Sequence, residues 1–411
     1  MTNFNHLILL IGTNPLPNFV VAEYFLKNNP DLKKIWLVYS EKTDVQEGTF
    51  TYAENLVNAL EFKHSHKSIS FNYIPLSDIS SASKIFSELR KLLIPQLEDN
   101  SSVHLNYTGG TKVMGTHAYR SLSLEEGKRL SKTFSYLDAR TFRIVADDKG
   151  YVTNDIRSEI SLTFDELIRL HGFERKNKDS DFLYSIAMDK FRELIKNGKI
   201  KNFFHKNGGY DRAIFESKNK KGELAERLED IDQDAISRFS PNNEFRQILS
   251  ALPDEYNIFK EGIGKKFKNA IKFLDGDWFE EYVYETLKNN LTETKIEVLK
   301  NWEIKKDNWI GNFQLDVILM KGYQLVGISC TTSQDKSLCK SKGFEVIHRT
   351  RQIGGDEAKS VLFTLLDDGR KSNLQNELLI DTGSTTANIL VFGIEDLNEG
   401  YIVKKIAEFI K

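Results

Sequence analysis

The decapeptide NYTGGTKVMG, residues 106–115, is dense in groups that can hold an anion. Its two adjacent glycines let the backbone approach a phosphate, its threonine hydroxyls can donate hydrogen bonds, and its lysine adds a positive charge. The lysine falls in the first turn of the helix predicted to follow, where a cation is poorly placed for the helix dipole and an anionic ligand would offset it. The candidate ligand contacts in this loop are Thr108, Gly109, Gly110, Thr111 and Lys112.

Neither standard nucleotide-binding spacing is present, because the loop lacks both GxxxxGK[ST] and GxGxxG. A tight strand–helix turn with an incidental lysine is therefore the competing interpretation. A second loop, IGTNPLPN, follows the first predicted strand, and its residues Gly12, Thr13 and Asn14 could approach the same edge of a parallel sheet. Its prolines could equally serve only to end that strand, so the sequence leaves both interpretations open.

A single carboxylate lies inside the strongly apolar segment NFQLDVILMK. Alternation along this segment and along YQLVGISCTT predicts a hairpin whose apolar residues share one face. A two-residue turn at Lys321–Gly322 would place Asp316 opposite Gly327 and diagonal to Ser329. Asp316, Ser329 and Thr331 then share the more polar face. A charged residue is unusual in such a position, although a hydrogen-bonded or edge-facing aspartate would also account for it.

The elements that position these residues alternate in the first part of the chain. HLILLIG, KIWLVYS, SISFNYIPL and VHLNY are predicted strands separated by helical patterns, which predicts right-handed crossovers and a parallel sheet. An antiparallel pair closes this unit near residue 153. We therefore expect an α/β chain with a first domain over residues 1–153, a connector over 154–265 and a mixed α/β domain over 266–411. The connector is rich in lysine and asparagine and predicts small helices, part of them in a winged-helix-like arrangement, with its lysines on a solvated face.

The composition limits the classes of function. The length of 411 residues indicates two or three domains, and the net charge of -2 gives no global basic field that would attract nucleic acid. The N-terminus lacks the basic region and cleavage site of a signal peptide, and no segment is apolar for long enough to span a membrane. Cys330 and Cys339 have no metal-binding spacing and indicate reduced thiols in a cytoplasmic protein.

The N-terminal motifs together resemble the CARF domain, the CRISPR-associated Rossmann-like sensor. The resemblance covers residues 1 to about 150 and rests on TGGTKVMG after the fourth strand and IGTNPLPN after the first. It implies a homodimer that binds a cyclic oligoadenylate, with tetra-adenylate (cA4) favoured over hexa-adenylate (cA6), between two crevices that face each other across a two-fold axis. The residues that match the family motif are Gly109, Gly110, Thr111 and Lys112. The residues placed only by their positions at strand ends are Thr13, Asn14 and Asp138.

The segment from about residue 266 to the C-terminus resembles the PD-(D/E)xK restriction-endonuclease-like domain, in the version fused behind CARF domains in the Can2/Card1 group of CRISPR ancillary nucleases. The resemblance rests on the order of the GDWFEEY helix, the LDV hairpin and the helix that follows. It implies a divalent metal, Mg²⁺ or Mn²⁺, held by Asp316 and by Glu280, with Glu281 as the alternative. Where the family has Glu-x-Lys, this chain has Ser329-Cys330-Thr331, which removes one carboxylate and one lysine.

Three interpretations of the altered motif stay open. Replacement groups could come from one face of the next helix or from two lysines near its start: Lys342, Glu345 and Arg349, or Lys336 and Lys340. Alternatively, the hydroxyls of Ser329 and Thr331 could complete a weaker metal site with nearby backbone carbonyls. In the third interpretation, the domain is inactive and only binds.

These features together predict a metal-dependent nuclease, activated by a cyclic oligoadenylate, that cuts DNA, RNA or both in type III CRISPR antiviral defence. The alternative is a ligand-gated, non-catalytic protein whose nuclease fold is inactive and which binds nucleic acid or acts as a regulatory protein. A further alternative, cleavage of the ring by the sensor domain itself, is known for some CARF domains, and nothing in this sequence argues strongly for it.

Overall fold

The computed structural model contains two six-stranded sheets and one short two-stranded sheet, all joined through helices. It confirms the predicted mixed α/β class. Within the described part of the chain, the helices are too short or too polar to cross a bilayer. The structure describes residues 3–44, 46–147, 150, 152–177, 184–203, 216–217, 220–225, 244–253, 267–291, 295–306 and 312–411.

The first sheet has the strand order β3-β2-β1-β4-β5-β6. Strands β1 to β5 are parallel, and β6 pairs antiparallel with β5. The parallel sheet and the closing antiparallel pair expected from the sequence are therefore both present. The strands are β1 (His6–Leu10), β2 (Lys34–Ser40), β3 (Ser70–Leu76), β4 (Ser102–Asn106), β5 (Ser131–Asp138) and β6 (Arg143–Ala146).

Helices cover both faces of this sheet. They are α1 (Leu16–Asn28), α2 (Phe50–Lys63), α3 (Ala82–Leu92) and α4 (Lys112–Ser123). Because successive strand residues point to opposite faces, Leu7 and Leu9 pack in one core with α1 and α2, whereas Ile8 and Leu10 pack in the other with α3 and α4. The loops that leave the carboxyl ends of the strands are thereby held at one edge of the sheet.

The second sheet has the strand order β14-β13-β12-β11-β10-β7. Neighbouring strands are antiparallel from β7 through β12 and parallel from β12 to β14. Its strands are β7 (Phe173–Arg175), β10 (Ile296–Lys306), β11 (Asn312–Lys321), β12 (Gln324–Cys330), β13 (Lys359–Phe363) and β14 (Ile389–Phe392). The two-stranded sheet consists of β8 (Glu216–Ser217) and β9 (Lys220–Leu224).

The remaining described helices pack against this second sheet or lead into it. A π-helical turn over Phe273–Asp277 joins the helices Phe267–Lys272 and Trp278–Leu291 without a break. These helices are α5 (Phe164–Leu170), α6 (Ser185–Lys196), α7 (Ile200–Phe203), α8 (Glu244–Ser250), α9 (Phe267–Lys272), α10 (Trp278–Leu291), α11 (Lys336–Gly354), α12 (Asp368–Thr382) and α13 (Glu399–Phe409).

The hairpin β11–β12 forms as predicted, but its register differs by two residues. Lys321 pairs with Gln324, so the turn is Gly322–Tyr323 and not Lys321–Gly322. Gly322 has φ +61°, which a glycine adopts without strain at the first central position of a hairpin turn. The shift brings Asp316 beside Ser329 instead of Gly327. Because side chains alternate with a period of two, this correction leaves Asp316 and Ser329 on the predicted shared face.

Parts of the predicted connector belong structurally to the C-terminal sheet. Strand β7 is its edge strand and pairs with Ile304 to Lys306 of β10. In α6, the ring of Phe191 stacks on Trp278 with centroids 4.2 Å apart. Much of the expected winged-helix-like region, including residues 204–215, 226–243 and 254–266, lies outside the described residues. The boundaries at 153 and 265 stay a prediction.

The two large sheets share a hydrophobic core, and one buried arginine joins them. Arg157 is 7% exposed, its guanidinium lies 3.8 Å from the ring centroid of Phe142, and it forms an ion pair with Asp155 at 2.6 Å. The same guanidinium donates to the side-chain oxygen of Gln324 at 2.6 Å and to the carbonyl of Ile410 at 3.2 Å. A buried guanidinium needs such partners, so this cluster fixes the N-terminal sheet against the C-terminal sheet.

Candidate functional sites

The glycine pair after β4 is required by close packing. A Cβ atom on Gly109 would lie 2.1 Å from the carbonyl oxygen of Leu10 and 2.6 Å from the amide nitrogen of Asn18. Gly110 has φ +69°, in the left-handed region that favours glycine. The loop therefore sits directly against the end of β1, with its backbone open to the other side.

The two threonines of the loop have different roles. Thr108 Oγ1 donates to Asn106 Oδ1 at 2.7 Å and accepts from the backbone N–H of Leu137 at 2.6 Å, so its hydroxyl is fully used within the fold. Thr111 caps helix α4, since its Oγ1 accepts from the backbone N–H of Met114 at 3.1 Å. Its hydroxyl proton has no acceptor in the described part of the chain, and it can therefore reach a ligand.

These residues line a cavity of about 620 Å³, which we call the sensor cavity. Its walls are residues 107–112 with Gly115, Thr116 and Tyr119. Lys112 is exposed here and forms no ion pair with any residue that the structure describes. Burial and a 2.7 Å hydrogen bond to Asp147 raise the pKa of Tyr107, so the phenol stays neutral. The cavity thus presents a helix N-terminus, one free cation and aromatic rings, a set that suits a phosphate-bearing, base-containing ligand.

The other predicted ligand contacts are separated by the fold. Gly12 adjoins the loop over residues 107–111, which we call the sensor loop, because a Cβ atom on it would lie 3.1 Å from the backbone nitrogen of Gly110. Thr13 and Asn14 instead line a different cavity of about 390 Å³, since the loop turns away towards the C-terminal domain. Asp138 does not line the sensor cavity either. Its carboxylate accepts from Arg140 and Thr141 and holds the turn between β5 and β6.

The C-terminal domain contains a second polar cavity, of about 440 Å³, which we call the acid cavity. It brings together five of the six predicted catalytic residues, which lie on α10, β11, β12 and α11: Glu280, Asp316, Ser329, Lys342 and Glu345. Asp316 Oδ2 accepts from Ser329 Oγ at 2.9 Å and from the backbone N–H of Cys330 at 2.8 Å. Its other carboxylate oxygen is left for a ligand, and Lys272 and Arg349 add two further cations to the wall.

The electrostatics of this cavity favour a cation. Burial, followed by the charges of Asp316 and Asp277, raises the pKa of Glu280 well above its usual range. Burial also raises the pKa of Asp316, although the hydrogen bonds from Cys330 and Ser329 oppose that shift. Neighbouring carboxylates that repel one another in this way are relieved by a bound positive charge.

Asp277 is a cavity residue that sequence reasoning missed. Burial raises its pKa, and Asp316 adds to that shift. The π-helical turn over Phe273–Asp277 precedes α10 and aligns Asp277 with Glu280, three residues later on the same helix face. The motif GDWFEE held the signal, since it places an acid at this spacing before Glu280.

Several predicted alternatives lie away from the acid cavity. Thr331 does not line it, because it follows the end of β12 and its Oγ1 accepts from the backbone N–H of Ser333 at 3.2 Å. Glu281 points away from it and forms an ion pair with Lys300 at 2.5 Å. Lys336 and Lys340 are turned to helix α12, where Lys340 pairs with Asp381 at 2.8 Å. These residues have structural partners and do not line the acid cavity, and a role for them in a site stays a prediction.

The donor set of the acid cavity fits a hard cation held mainly by water. Among the described residues, no three His, Cys, Asp or Glu side chains converge as a metal-binding group. Glu280 and Asp316 nevertheless offer carboxylate oxygens in one cavity, and Mg²⁺ commonly takes only one or two protein carboxylates and keeps several waters. Lys342 is paired with Glu345 at 3.4 Å. The thiol of Cys330 is buried with a raised pKa, so it is not a ligand for such an ion.

Comparison with known proteins agrees with this architecture. Can2 from Sulfobacillus thermosulfidooxidans, solved in complex with cyclic tetra-adenylate, superposes with a TM-score of 0.63 at 17% sequence identity, over 99% of each chain. Protein VC1899 from Vibrio cholerae gives a TM-score of 0.63 at 14% identity, over 99% of this chain and 98% of that one. No curated protein sequence matches the chain. Residues 6–137 match the family model of the Card1 CARF domain, and the N-terminal domain of this chain is therefore a CARF domain of the Card1 type.

Proposed function

We propose that this chain is a nuclease gated by a cyclic oligoadenylate, with the sensor cavity as the ligand site and the acid cavity as the site of phosphodiester cleavage. The observation that carries the proposal is the pairing of two built polar sites in one chain. One offers unpaired donors, Thr111 and Lys112, to an anion. The other holds carboxylates whose raised pKa values mark a site suited to a cation.

Cyclic tetra-adenylate is the ligand that we propose for the sensor cavity. The backbone at Gly109 and Gly110, the hydroxyl of Thr111 and the ammonium of Lys112 can contact a phosphodiester. Tyr107 and Tyr119 provide rings against which an adenine can stack. A ring of repeated phosphodiesters has two-fold symmetry, so a second copy of this chain would supply the other half of the site as a homodimer. The likeness to a structure of Can2 with this ligand supports the choice of ring.

Mg²⁺ or Mn²⁺ is the cofactor that we propose for the acid cavity, held by Glu280 and Asp316. When bound, such an ion activates water and neutralises charge on the phosphate. Ser329 orients Asp316 by its 2.9 Å hydrogen bond and leaves one carboxylate oxygen facing the cavity. Arg349 and Lys342 are positioned on one wall to contact the phosphates of DNA or RNA.

A second candidate function is ligand-gated binding of nucleic acid without cleavage. The observation that favours it is the sequence at the end of β12. Ser329 lines the cavity there, and Ser329-Cys330-Thr331 stands in place of the Glu-x-Lys motif, so one carboxylate and one lysine are missing. Both lysines of the cavity wall are already paired, Lys342 with Glu345 at 3.4 Å and Lys272 with Asp277 at 3.8 Å. In this alternative the acid cavity binds a phosphate-rich strand only weakly, through Arg349.

One experiment separates the two candidates. The protein is incubated with plasmid DNA and with single-stranded RNA or DNA, with Mn²⁺ or Mg²⁺, with and without cyclic tetra-adenylate. Cutting that requires the ring, stops with chelator and is lost in Asp316→Asn supports the nuclease. Asp381→Asn is the matched control, because Asp381 is an aspartate on the surface of α12 that pairs with Lys340. Gel shifts without cutting in every condition would support binding alone.

A further inference from the structure

The loop after β1 touches both halves of the molecule. At its start, Gly12 packs against the sensor loop, and a Cβ atom there would lie 3.1 Å from the nitrogen of Gly110. Two residues later, Asn14 reaches the C-terminal domain, where its Nδ2 lies 2.2 Å from the position of a Cβ atom on Gly355. Because the atoms are close-packed, a shift of the sensor loop by a fraction of an ångström would displace the segment Gly12–Asn14 as well.

Helix α11 connects the far end of that contact to the acid cavity. The helix runs over Lys336–Gly354 and is capped by Gly355, the residue that adjoins Asn14. Four of its residues line the acid cavity, of which Lys342, Glu345 and Arg349 are charged. At about 1.5 Å per residue a helix of this length spans about 28 Å, and it moves as a unit.

The cleft between the loop and α11 leaves space for such a movement. It encloses about 390 Å³ and is polar, with Lys306 and Arg351 on its walls. His171 also lines it, is 3% exposed, and its Nε2 has no hydrogen-bond partner within the described ranges. Burial lowers the pKa of His171 to about 4, so the ring is neutral and forms no ion pair across the cleft. On its other side the end of α11 is packed, because Ile353 is fully buried in the core that the two large sheets share, so a displacement at Gly355 is passed into the helix.

We infer that Asn14 is the positioning residue that couples the two cavities, through its contact with the C-terminal end of α11. Ligand in the sensor cavity displaces the Gly12–Asn14 segment, and Asn14 moves α11 and with it the cations and Glu345 of the acid cavity. This inference rests on the proposed function, of which it specifies the regulation. It assigns Asn14 to coupling rather than to ligand contact.

The variant Asn14→Ser tests this role. Asn14 Oδ1 accepts from the backbone N–H of Leu16 at 3.1 Å, and a serine hydroxyl can form the same local turn. The substitution therefore keeps the start of α1 and deletes the amide that reaches Gly355. Asn28→Ser is the matched control, since Asn28 lies at the opposite end of α1 and, among the described residues, its amide donates only to the carbonyl of Tyr24 at 3.0 Å.

We expect Asn14→Ser to bind cyclic tetra-adenylate with wild-type affinity in calorimetry and to keep the basal rate of cutting. The stimulation of cutting by saturating ligand should fall by about three- to tenfold, within the usual range of coupling between sites. Asn28→Ser should keep full stimulation. Full stimulation of Asn14→Ser would overturn the inference, whereas a wild-type protein that never cuts would overturn the proposed nuclease activity instead.

Hydrogen exchange provides a readout that does not depend on cutting. In the wild type, cyclic tetra-adenylate should change exchange both in the sensor loop and at residues 350–357, and in Asn14→Ser only in the sensor loop. Bound ligand that leaves residues 350–357 of the wild type unchanged would also overturn the inference, even if the variant folded poorly.

Discussion

The substitution Gly109→Ala places one methyl group where the structure has no room for it. The added Cβ atom would lie 2.1 Å from the carbonyl oxygen of Leu10 and 2.6 to 2.8 Å from the side-chain amide of Asn18. Two of these neighbours, the backbone and a fully buried amide, cannot rotate away. The loop or the end of β1 must therefore move, and the 2.9 Å hydrogen bond from Asn18 to Leu10 is lost or lengthened.

The expected cost follows from these two effects. Overpacking of a dense interior costs about 1–3 kcal/mol, and losing the buried hydrogen bond adds about 1 kcal/mol. The free energy of unfolding of the sensor domain should thus fall by about 2–4 kcal/mol, which corresponds to a melting temperature lower by roughly 5–15 °C. Because the backbone N–H groups of the loop move as well, binding of cyclic tetra-adenylate should weaken by at least about tenfold.

Calorimetry and thermal melting check this prediction together. Gly369→Ala is the matched control, because the added Cβ atom would meet its nearest neighbour, Asp367 Oδ1, at an ordinary 3.6 Å. The control should melt and bind like the wild type. If Gly109→Ala also melts and binds like the wild type, the reasoning about the packed sensor loop is wrong.

Three further predictions concern the acid cavity and the domain junction. Glu280→Gln should raise the melting temperature of the metal-free protein, and more at pH 8 than at pH 5, because a carboxyl whose pKa is raised by folding destabilises the fold as it ionises at higher pH; an equal gain at both values would contradict this. Arg157→Ala should lower the free energy of unfolding by about 3 kcal/mol, measured by denaturant melts, because Gln324 and the carbonyl of Ile410 lose a buried donor; a loss below about 1 kcal/mol would contradict it. Arg349→Ala should reduce the salt dependence of nucleic-acid binding by about one phosphate contact in titrations at several salt concentrations, and an unchanged slope would remove Arg349 from the interface.

The sequence predicted the features that depend on periodicity and on local backbone chemistry. The parallel sheet followed from alternating strands and helices, and the sensor loop from two glycines between a strand and a helix. The shared face of Asp316 and Ser329 survived a two-residue error in hairpin register, since the pattern of a strand repeats every two residues. Local patterns carry this information without knowledge of tertiary contacts.

The features that sequence reasoning missed depend on tertiary contacts. Thr13 and Asn14 follow a strand end like the sensor loop, yet packing against Gly355 turns them to the other cavity. The motif GDWFEE shows the spacing of Asp277 and Glu280, but the burial of Asp277 beside Asp316 depends on packing. Thr331 and Glu281 have the right residue types, but each is held by a residue distant in sequence. The backbone N–H of Thr331 donates to the carbonyl of Phe363, and the carboxylate of Glu281 pairs with Lys300.

The central claim is that occupation of the sensor cavity governs cleavage at the acid cavity. The most direct measurement compares the dissociation constant of cyclic tetra-adenylate with the ligand concentration that gives half-maximal cutting, in the wild type and in Lys112→Ala. Loss of one charge-assisted contact should weaken binding by about tenfold or more, and both quantities should rise by the same factor. Cutting that is independent of the ring, or a ring that releases no heat and stimulates nothing, would contradict the account.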